Sequence, residues 1–163
     1  MARNVMSDLA RLKALSSSLG RRGRRVSGMS RQMQAIVKNS EREVNRKGFM
    51  EDIVQARFDN ERGYADGGLA WAPRKDSGDG HQILQDTGRL LQAALRAVRN
   101  TYNILKVRWQ IARVNVPYGL YHQQGTSKMP RRPFLNDPTK SELNPADSYC
   151  VKVARRLLRR ALG

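Results

Sequence analysis

Few side chains among these 163 residues are of the types that do covalent or metal chemistry, and their spacing does not gather them. There are two histidines, His81 and His122, and one cysteine, Cys150. A single cysteine excludes an intramolecular disulfide and a cysteine-based zinc site. His81, beside Gly80, has no second ligand at a recognisable metal-binding spacing and reads as a surface histidine. Asp86 and His122 are the acid-base pair that could form in principle, but a helix-capping aspartate and a loop-ordering histidine are the better readings. No Gly-rich loop ends in Lys-Ser or Lys-Thr, and no serine sits in a nucleophile-elbow pattern. The chain reads as a non-enzyme with no catalytic residues, metal or cofactor.

What remains is recognition chemistry, and it is densest from Val116 to Asn136, V-P-Y-G-L-Y-H-Q-Q-G-T-S-K-M-P-R-R-P-F-L-N. Prolines and glycines exclude a long regular element here. Pro117, Pro130 and Pro133 each fix their own φ and push the preceding residue toward extended backbone, so Met129 to Phe134 is expected to be a stiff strap. Phe134 and Leu135 supply its apolar anchors.

Net charge is +17, unevenly spread. Residues 1–48 carry 12 basic against 3 acidic side chains, and residues 83–140 carry 10 against 2, but residues 49–82 carry 4 against 7 and form an acidic island. A chain this basic favours polyanions, either nucleic acid or an acidic protein face. Arg21, Arg22, Arg24 and Arg25, set around Gly23, make a basic hinge that is either a phosphate contact or a solvated linker. Lys106 and Arg108, and the Arg155 to Arg160 surface, offer further phosphate contacts. None carries a base-reading motif, so DNA contact is expected to be sequence-independent. No apolar run approaches the roughly 18 residues that span a bilayer, and the N-terminus lacks an uninterrupted apolar core, so neither a membrane anchor nor an export signal is expected.

The elements that must position these groups follow from periodicity. Val5, Leu9, Leu12, Leu15 and Leu19 predict a short amphipathic helix ahead of the hinge. Met29, Met33, Ile36, Val37, Val44, Ile53, Val54 and Phe58 predict a long helical stretch from about Ser27 to Phe58, bent or interrupted at Gly48, with Ser27 or Ser30 as its cap. Residues 59–82 read as a long exposed loop, in which Trp71 either tucks onto the core or projects into a neighbouring subunit. Asp86 or Thr87 caps a helix whose apolar face is Leu90, Leu91, Ala94, Leu95 and Val98. Ile104 to Trp109 and Ile111 to Val116 alternate like strands of a small, antiparallel sheet, the first with a basic face of Lys106 and Arg108. Asp137-Pro138 and Asn144-Pro145 are successive helix starts, the second opening the longer C-terminal helix. Its stripe of Ala146, Tyr149, Cys150, Val153, Ala154, Leu157, Leu158 and Ala161 places Cys150 as a small buried hydrophobe. The expected fold is α+β: long N-terminal helices, a small antiparallel sheet and a C-terminal helix, with residues 1–26 an extension and 27–163 a single domain.

The order Tyr118, His122, Gln123, Gly125, then Met129-Pro130-x-Arg132-Pro133-Phe134-Leu135 resembles the signature of the phage virion morphogenesis family, the tail-completion and neck proteins of Mu-like and P2-like tailed phages. Upstream, Phe58, Gly67, Trp71, Pro73 and Ile83-Leu84-x-Asp86-Thr87-Gly88-Arg89-Leu90 are similar to the rest of that pattern, which covers roughly residues 55–136. Gly119 and Arg131 stand where the family more often has alanine, and Asn136 where it often has glycine. The resemblance implies a structural virion protein of the neck or head-proximal tail end, assembled in the bacterial host cytoplasm. It further implies a hexameric or twelve-subunit homo-oligomeric ring around the DNA channel, meeting adjacent connector and tail proteins as a tail terminator or head-tail joiner. On that reading Trp71, Tyr118, Tyr121, Met129, Arg132 and Phe134 are expected at a subunit or ring interface, with packing of the strap within its own chain as the alternative, and Arg21, Arg22, Arg24, Arg25, Lys106 and Arg108 toward DNA. The alternative is a sequence-independent basic DNA-binding protein.

Overall fold

The apolar spacing over residues 27–58 folds as two helices, because Gly48 takes φ +80, a left-handed conformation that stops the first. The computed structural model describes residues 7, 8, 10–14, 28–64, 67–72, 84 and 88–162. Over these the fold is α+β and helix-dominated. In chain order it has α1 (Gly28–Lys47), α2 (Phe49–Asp59), β1 (Arg62–Tyr64), β2 (Gly67–Ala70), α3 (Arg89–Val98), a 3-10 turn (Ile111–Arg113), α4 (Gly119–Gln124) and α5 (Lys140–Leu162). Residues 7, 8 and 10–14 are also helical. The basic hinge of Arg21, Arg22, Arg24 and Arg25, Ser27, Asp86, Thr87, Pro73 and His81 lie outside the described residues, but the N-cap of α3 is Gly88 rather than Asp86 or Thr87, and Ser30 lies inside α1 rather than at its cap. The chain divides into two compact units, one of Met1–Phe49, Tyr102–Val107 and Leu143–Gly163, the other of Met50–Thr101 and Arg108–Glu142.

In the first unit, α1 buries Ile36, Val37, Ser40 and Val44, the stripe that 3.6-residue spacing dictates. The fully buried Ser40 hydroxyl is satisfied by donating to the Ile36 carbonyl at 2.8 Å. From Leu143 onward α5 buries Ala146, Cys150, Val151, Val153 and Ala154. Polar side chains of α1 hold the segment after residue 101. Asn45 Nδ2 donates to the Tyr102 carbonyl (3.1 Å) while its Oδ1 accepts from the Tyr102 N–H (2.9 Å), and Glu41 Oε1 accepts from Ile104 N–H (3.0 Å). Tyr102 completes the clamp by donating its hydroxyl to Asp147 Oδ1 at 2.7 Å.

That clamp corrects the strand expected from residue 104. The backbone groups of Ile104, Leu105 and Trp109 are taken by the side chains of Glu41, Asn103 and Asp137, so a ladder partner is not needed and none forms. Residues 111–113 make a 3-10 turn where the second strand was expected. The small antiparallel sheet lies instead inside residues 59–82, read from sequence as loop: β1 and β2 pair Arg62 with Ala70 and Tyr64 with Gly67, with an irregularity between. Trp71 N–H extends the pairing by donating to the Glu61 carbonyl at 2.7 Å.

The core of the second unit is built on α2 and α3. Met50, Ile53, Val54 and Phe58 of α2, and Leu90, Leu91, Ala94, Ala97 and Val98 of α3, are buried with Trp71, Trp109, Val114, Val116, Phe134 and Leu135. Phe58 packs edge-on against Trp71 (5.4 Å between centroids) and Phe134 (5.6 Å). Each fully buried phenyl ring contributes about 1.5 to 3 kcal/mol relative to exposure. The unit ends in the first turn of α5, which starts earlier than Asn144-Pro145 suggests. Thr139 and Glu142 form a capping box: Glu142 N–H donates to Thr139 Oγ1 (3.2 Å) and Thr139 N–H to Glu142 Oε2 (2.8 Å). Pro145 therefore lies inside the helix, and Asp137, expected as a cap, binds Trp109 N–H instead.

Candidate functional site

The proline-rich segment is ordered from below by one arginine. Arg57 of α2 is fully buried, as is the carboxylate of Glu142, and the two pair through parallel bonds, Nε to Oε1 at 2.9 Å and Nη2 to Oε2 at 2.7 Å. Arg57 Nη1 donates to the carbonyls of Asn136 (2.8 Å) and Phe134 (3.4 Å). Its guanidinium carbon lies 4.9 Å from the Trp109 ring centroid and 5.0 Å from that of Tyr64. A planar guanidinium with two aromatic faces, a bidentate carboxylate and two carbonyls uses the geometry that distinguishes arginine from lysine. The end of the strap is fixed to the core at this point.

From above, Gln123 at the end of α4 holds the same residues. Its Oε1 accepts from the N–H groups of Phe134 (2.9 Å) and Leu135 (3.0 Å), and its Nε2 donates to Asn136 Oδ1 (3.1 Å). Arg132 N–H donates to the His122 carbonyl (2.7 Å), and Arg131 Nε to the Gln123 carbonyl (3.2 Å). The chain reverses between these rows at Gly125, whose φ is +77. A Cβ there would sit 3.0 Å from the Arg131 nitrogen, so both conformation and space call for glycine. Thr126 and Met129 close the turn with paired backbone bonds of 2.9 and 3.3 Å.

The expected interface residues separate into two groups. Trp71, Arg132 and Phe134 are 5, 7 and 0% exposed, and their contacts are internal. Trp71 Nε1 donates to the Pro133 carbonyl (2.9 Å), Arg132 Nε to the Ala72 carbonyl (3.0 Å), and Phe134 meets Phe58. Burial thus moves these three from the expected contact surface into the interior that shapes it. Tyr118 and Tyr121 stand exposed, Met129 is half-buried, and Leu120, not singled out from sequence, is exposed beside them. Among the described residues five large apolar side chains are exposed, and three of them fall at positions 118, 120 and 121. The three are neighbours in sequence at the start of α4, set around the helix rather than on one face, and exposed Lys128 and Arg131 follow them in the chain.

Sequence reasoning missed Arg57, Glu142 and Leu120, and it did not assign Gln123 and Asn136 their clamping role. A T-x-x-E capping signature was present for Glu142; nothing local marks Arg57. Of the expected DNA contacts, Lys106 in the first unit and Arg108 in the second are each exposed. Burial pushes the Cys150 thiol up to about 11, and burial with nearby Cys150 and Asp147 raises the Tyr102 hydroxyl far above its ordinary value. His122 is half-buried against the Tyr118 ring, its Nδ1 has no partner among the described residues, and burial followed by the charge of Arg132 lowers its pKa. No group of three or more His, Cys, Asp or Glu side chains that could hold a metal ion occurs among the described residues, and no described helix is long and apolar enough to cross a membrane. Comparison with protein-family models, curated proteins and solved structures gives no match.

Proposed function

We propose that this chain is a structural protein of the phage neck, a tail-completion or head-to-tail joining protein that assembles as a homo-oligomeric ring around the DNA channel. The observation that carries the reading is the exposure of Tyr118, Leu120 and Tyr121 around α4, the helix whose Gln123 clamps the strap that Arg57 also holds. Tyrosine is enriched at protein interfaces, and a segment ordered before binding loses little further entropy when a partner arrives. Buried Trp71, Arg132 and Phe134 hold the segment's shape; Tyr118, Leu120, Tyr121 and Met129 make the contact.

The test is electron microscopy of particles formed when this gene alone is removed from an infecting phage, and when it is replaced by the Leu120→Ser/Tyr121→Ser variant. DNA-filled heads beside separate, finished tails in both cases support the reading. Normal joined virions from the deletion overturn the neck role. Normal virions from the variant alone move the contact elsewhere on the chain. A second reading, sequence-independent DNA binding, is favoured by the exposed cations at Lys106 and Arg108 and on the outer face of α5.

A further inference from the structure

A one-sided charged surface lies on the part of α5 that belongs to the first unit. Lys152, Arg155, Arg156, Arg159 and Arg160 are all exposed. Arg155 is paired with Asp8, whereas the other four have no ion pair among the described residues. At 3.6 residues per turn these four lie within an arc of about 100° and along about 12 Å of helix. Among the described residues of the first unit, no carboxylate forms an ion pair with these four. Asp8 is held by Arg155, Glu43 by Arg46, Glu41 by the Ile104 N–H and Asp147 by the Tyr102 hydroxyl.

Arginine and lysine in the last turns of a helix also complement its dipole, but that effect falls off within the final turn. It accounts for Arg159 and Arg160 and leaves Lys152 and Arg156 unexplained. A basic amphipathic helix could lie on an anionic membrane, yet the opposite face of α5 is not free to insert. Val151 and Ala154 are buried, and with Leu158 they line an apolar groove of about 300 Å³ together with Leu12, Met33 and Ile36 of the same unit. An acidic protein partner would be expected to find an apolar anchor amid the charges, and none of the large exposed hydrophobics lies within this arc. Single-stranded nucleic acid would need exposed aromatic platforms, and the one aromatic within the arc, Tyr149, is half-buried with its ring packed on Phe49 at 5.5 Å between centroids.

We propose that the outer face of α5, Lys152, Arg156, Arg159 and Arg160, is a sequence-independent binding site for the phosphate backbone of duplex DNA. The proposal rests on the second reading above, to which it adds the face, and it does not depend on the neck role. Four cations on a rigid helix present successive positive charges to a line of phosphates, with no groove-reading side chain. Affinity then comes from counterion release and is set by salt.

The test is fluorescence anisotropy of the full chain with a labelled random-sequence duplex across a salt series. It compares the native protein with the Lys152→Gln/Arg156→Gln/Arg159→Gln/Arg160→Gln variant and with a charge-matched control, Lys38→Gln/Arg42→Gln/Arg96→Gln/Arg113→Gln. Glutamine keeps helix propensity, and far-ultraviolet circular dichroism checks that each variant is folded. Each phosphate contact contributes about 0.9 to the slope of log K against log salt, so the α5 variant should flatten the slope by about 3 to 4 and bind at least tenfold more weakly at low salt. The control should retain most of the native slope. Equal loss in both variants would show that net charge, not this face, binds DNA. Loss in the control alone would keep DNA binding and move the site. No binding by the native protein, or tighter binding of single strands than of duplex, would overturn duplex binding altogether.

Discussion

Replacing Glu142 by glutamine keeps the length and branching of the side chain and removes its charge. In the native protein the Arg57 guanidinium has no solvent exposure, and Glu142 is its counter-charge, with both oxygens 2.7 to 2.9 Å from guanidinium nitrogens. Glu142→Gln leaves that cation buried with only neutral acceptors, and turns an N–H group toward an N–H donor. Breaking one side of a buried pair costs about 3 to 5 kcal/mol. The remaining acceptors, the Asn136 and Phe134 carbonyls, and the two flanking rings offset part of this and place the expectation near about 3 kcal/mol. That is a large share of the 5 to 15 kcal/mol that typically separates folded from unfolded domains, and corresponds to a fall in Tm of about 6 to 12 °C. Urea denaturation followed by circular dichroism measures it. The cycle through Arg57→Met and the double variant should give a coupling of about 2 to 3 kcal/mol, since the double variant no longer buries a lone cation. A loss below about 1 kcal/mol for Glu142→Gln, or no coupling, would mean that the pair is not desolvated and that the strap is fixed by something else.

Gln123→Ala removes the acceptor of two strap N–H groups and the donor to Asn136, so amide exchange at Phe134 and Leu135 should accelerate while α3 amides keep their protection; unchanged exchange at both positions would refute the clamp. Stability should also bend at both ends of the pH scale. The Cys150 thiol titrates near 9.0 when unfolded and about 11 when folded, so the unfolded chain loses its proton first and stability falls as pH rises through that window, a component that Cys150→Ala should abolish. The lowered pKa of His122 works the other way, its contribution being present above the ordinary value of 6.5 and lost as pH falls toward the depressed one; His122→Gln should flatten that acidic limb, and an unchanged limb would assign it to other groups.

The helix faces were legible because they are local patterns. Leu90, Leu91, Ala94 and Val98 are buried as their spacing dictates, as are Ile36, Val37 and Val44 and, on α5, Ala146, Cys150, Val153 and Ala154, whereas Tyr149, Leu157 and Leu158 are half-buried and Ala161 is exposed. The strap was legible too, since proline fixes φ whatever surrounds it. Residues 104–109 misled because alternation of apolar and basic side chains says nothing about what binds the backbone between them, and here the partners are side chains of α1 and Asp137. The hairpin at residues 62–70 was hidden by a glycine-rich composition that reads as loop. Trp71 had two readings and proves to be core, with its N–H satisfied by a strap carbonyl. Arg57 was out of reach. Flanked by Ala56 and Phe58 it looks like any solvated helix arginine, and its partner lies 85 residues further along the chain.

That separation also sets an order of events during synthesis. A ribosome adding about 5 to 20 residues per second needs roughly 4 to 17 seconds to travel from Arg57 to Glu142. Helix α2 can form early in that interval, but its guanidinium is favoured to stay hydrated, because entering the aromatic slot without the carboxylate carries the cost of a lone buried cation. Closure of this half of the core therefore waits for α5 to begin. Until then Phe58 lacks the settled packing against Phe134 that it has in the folded chain.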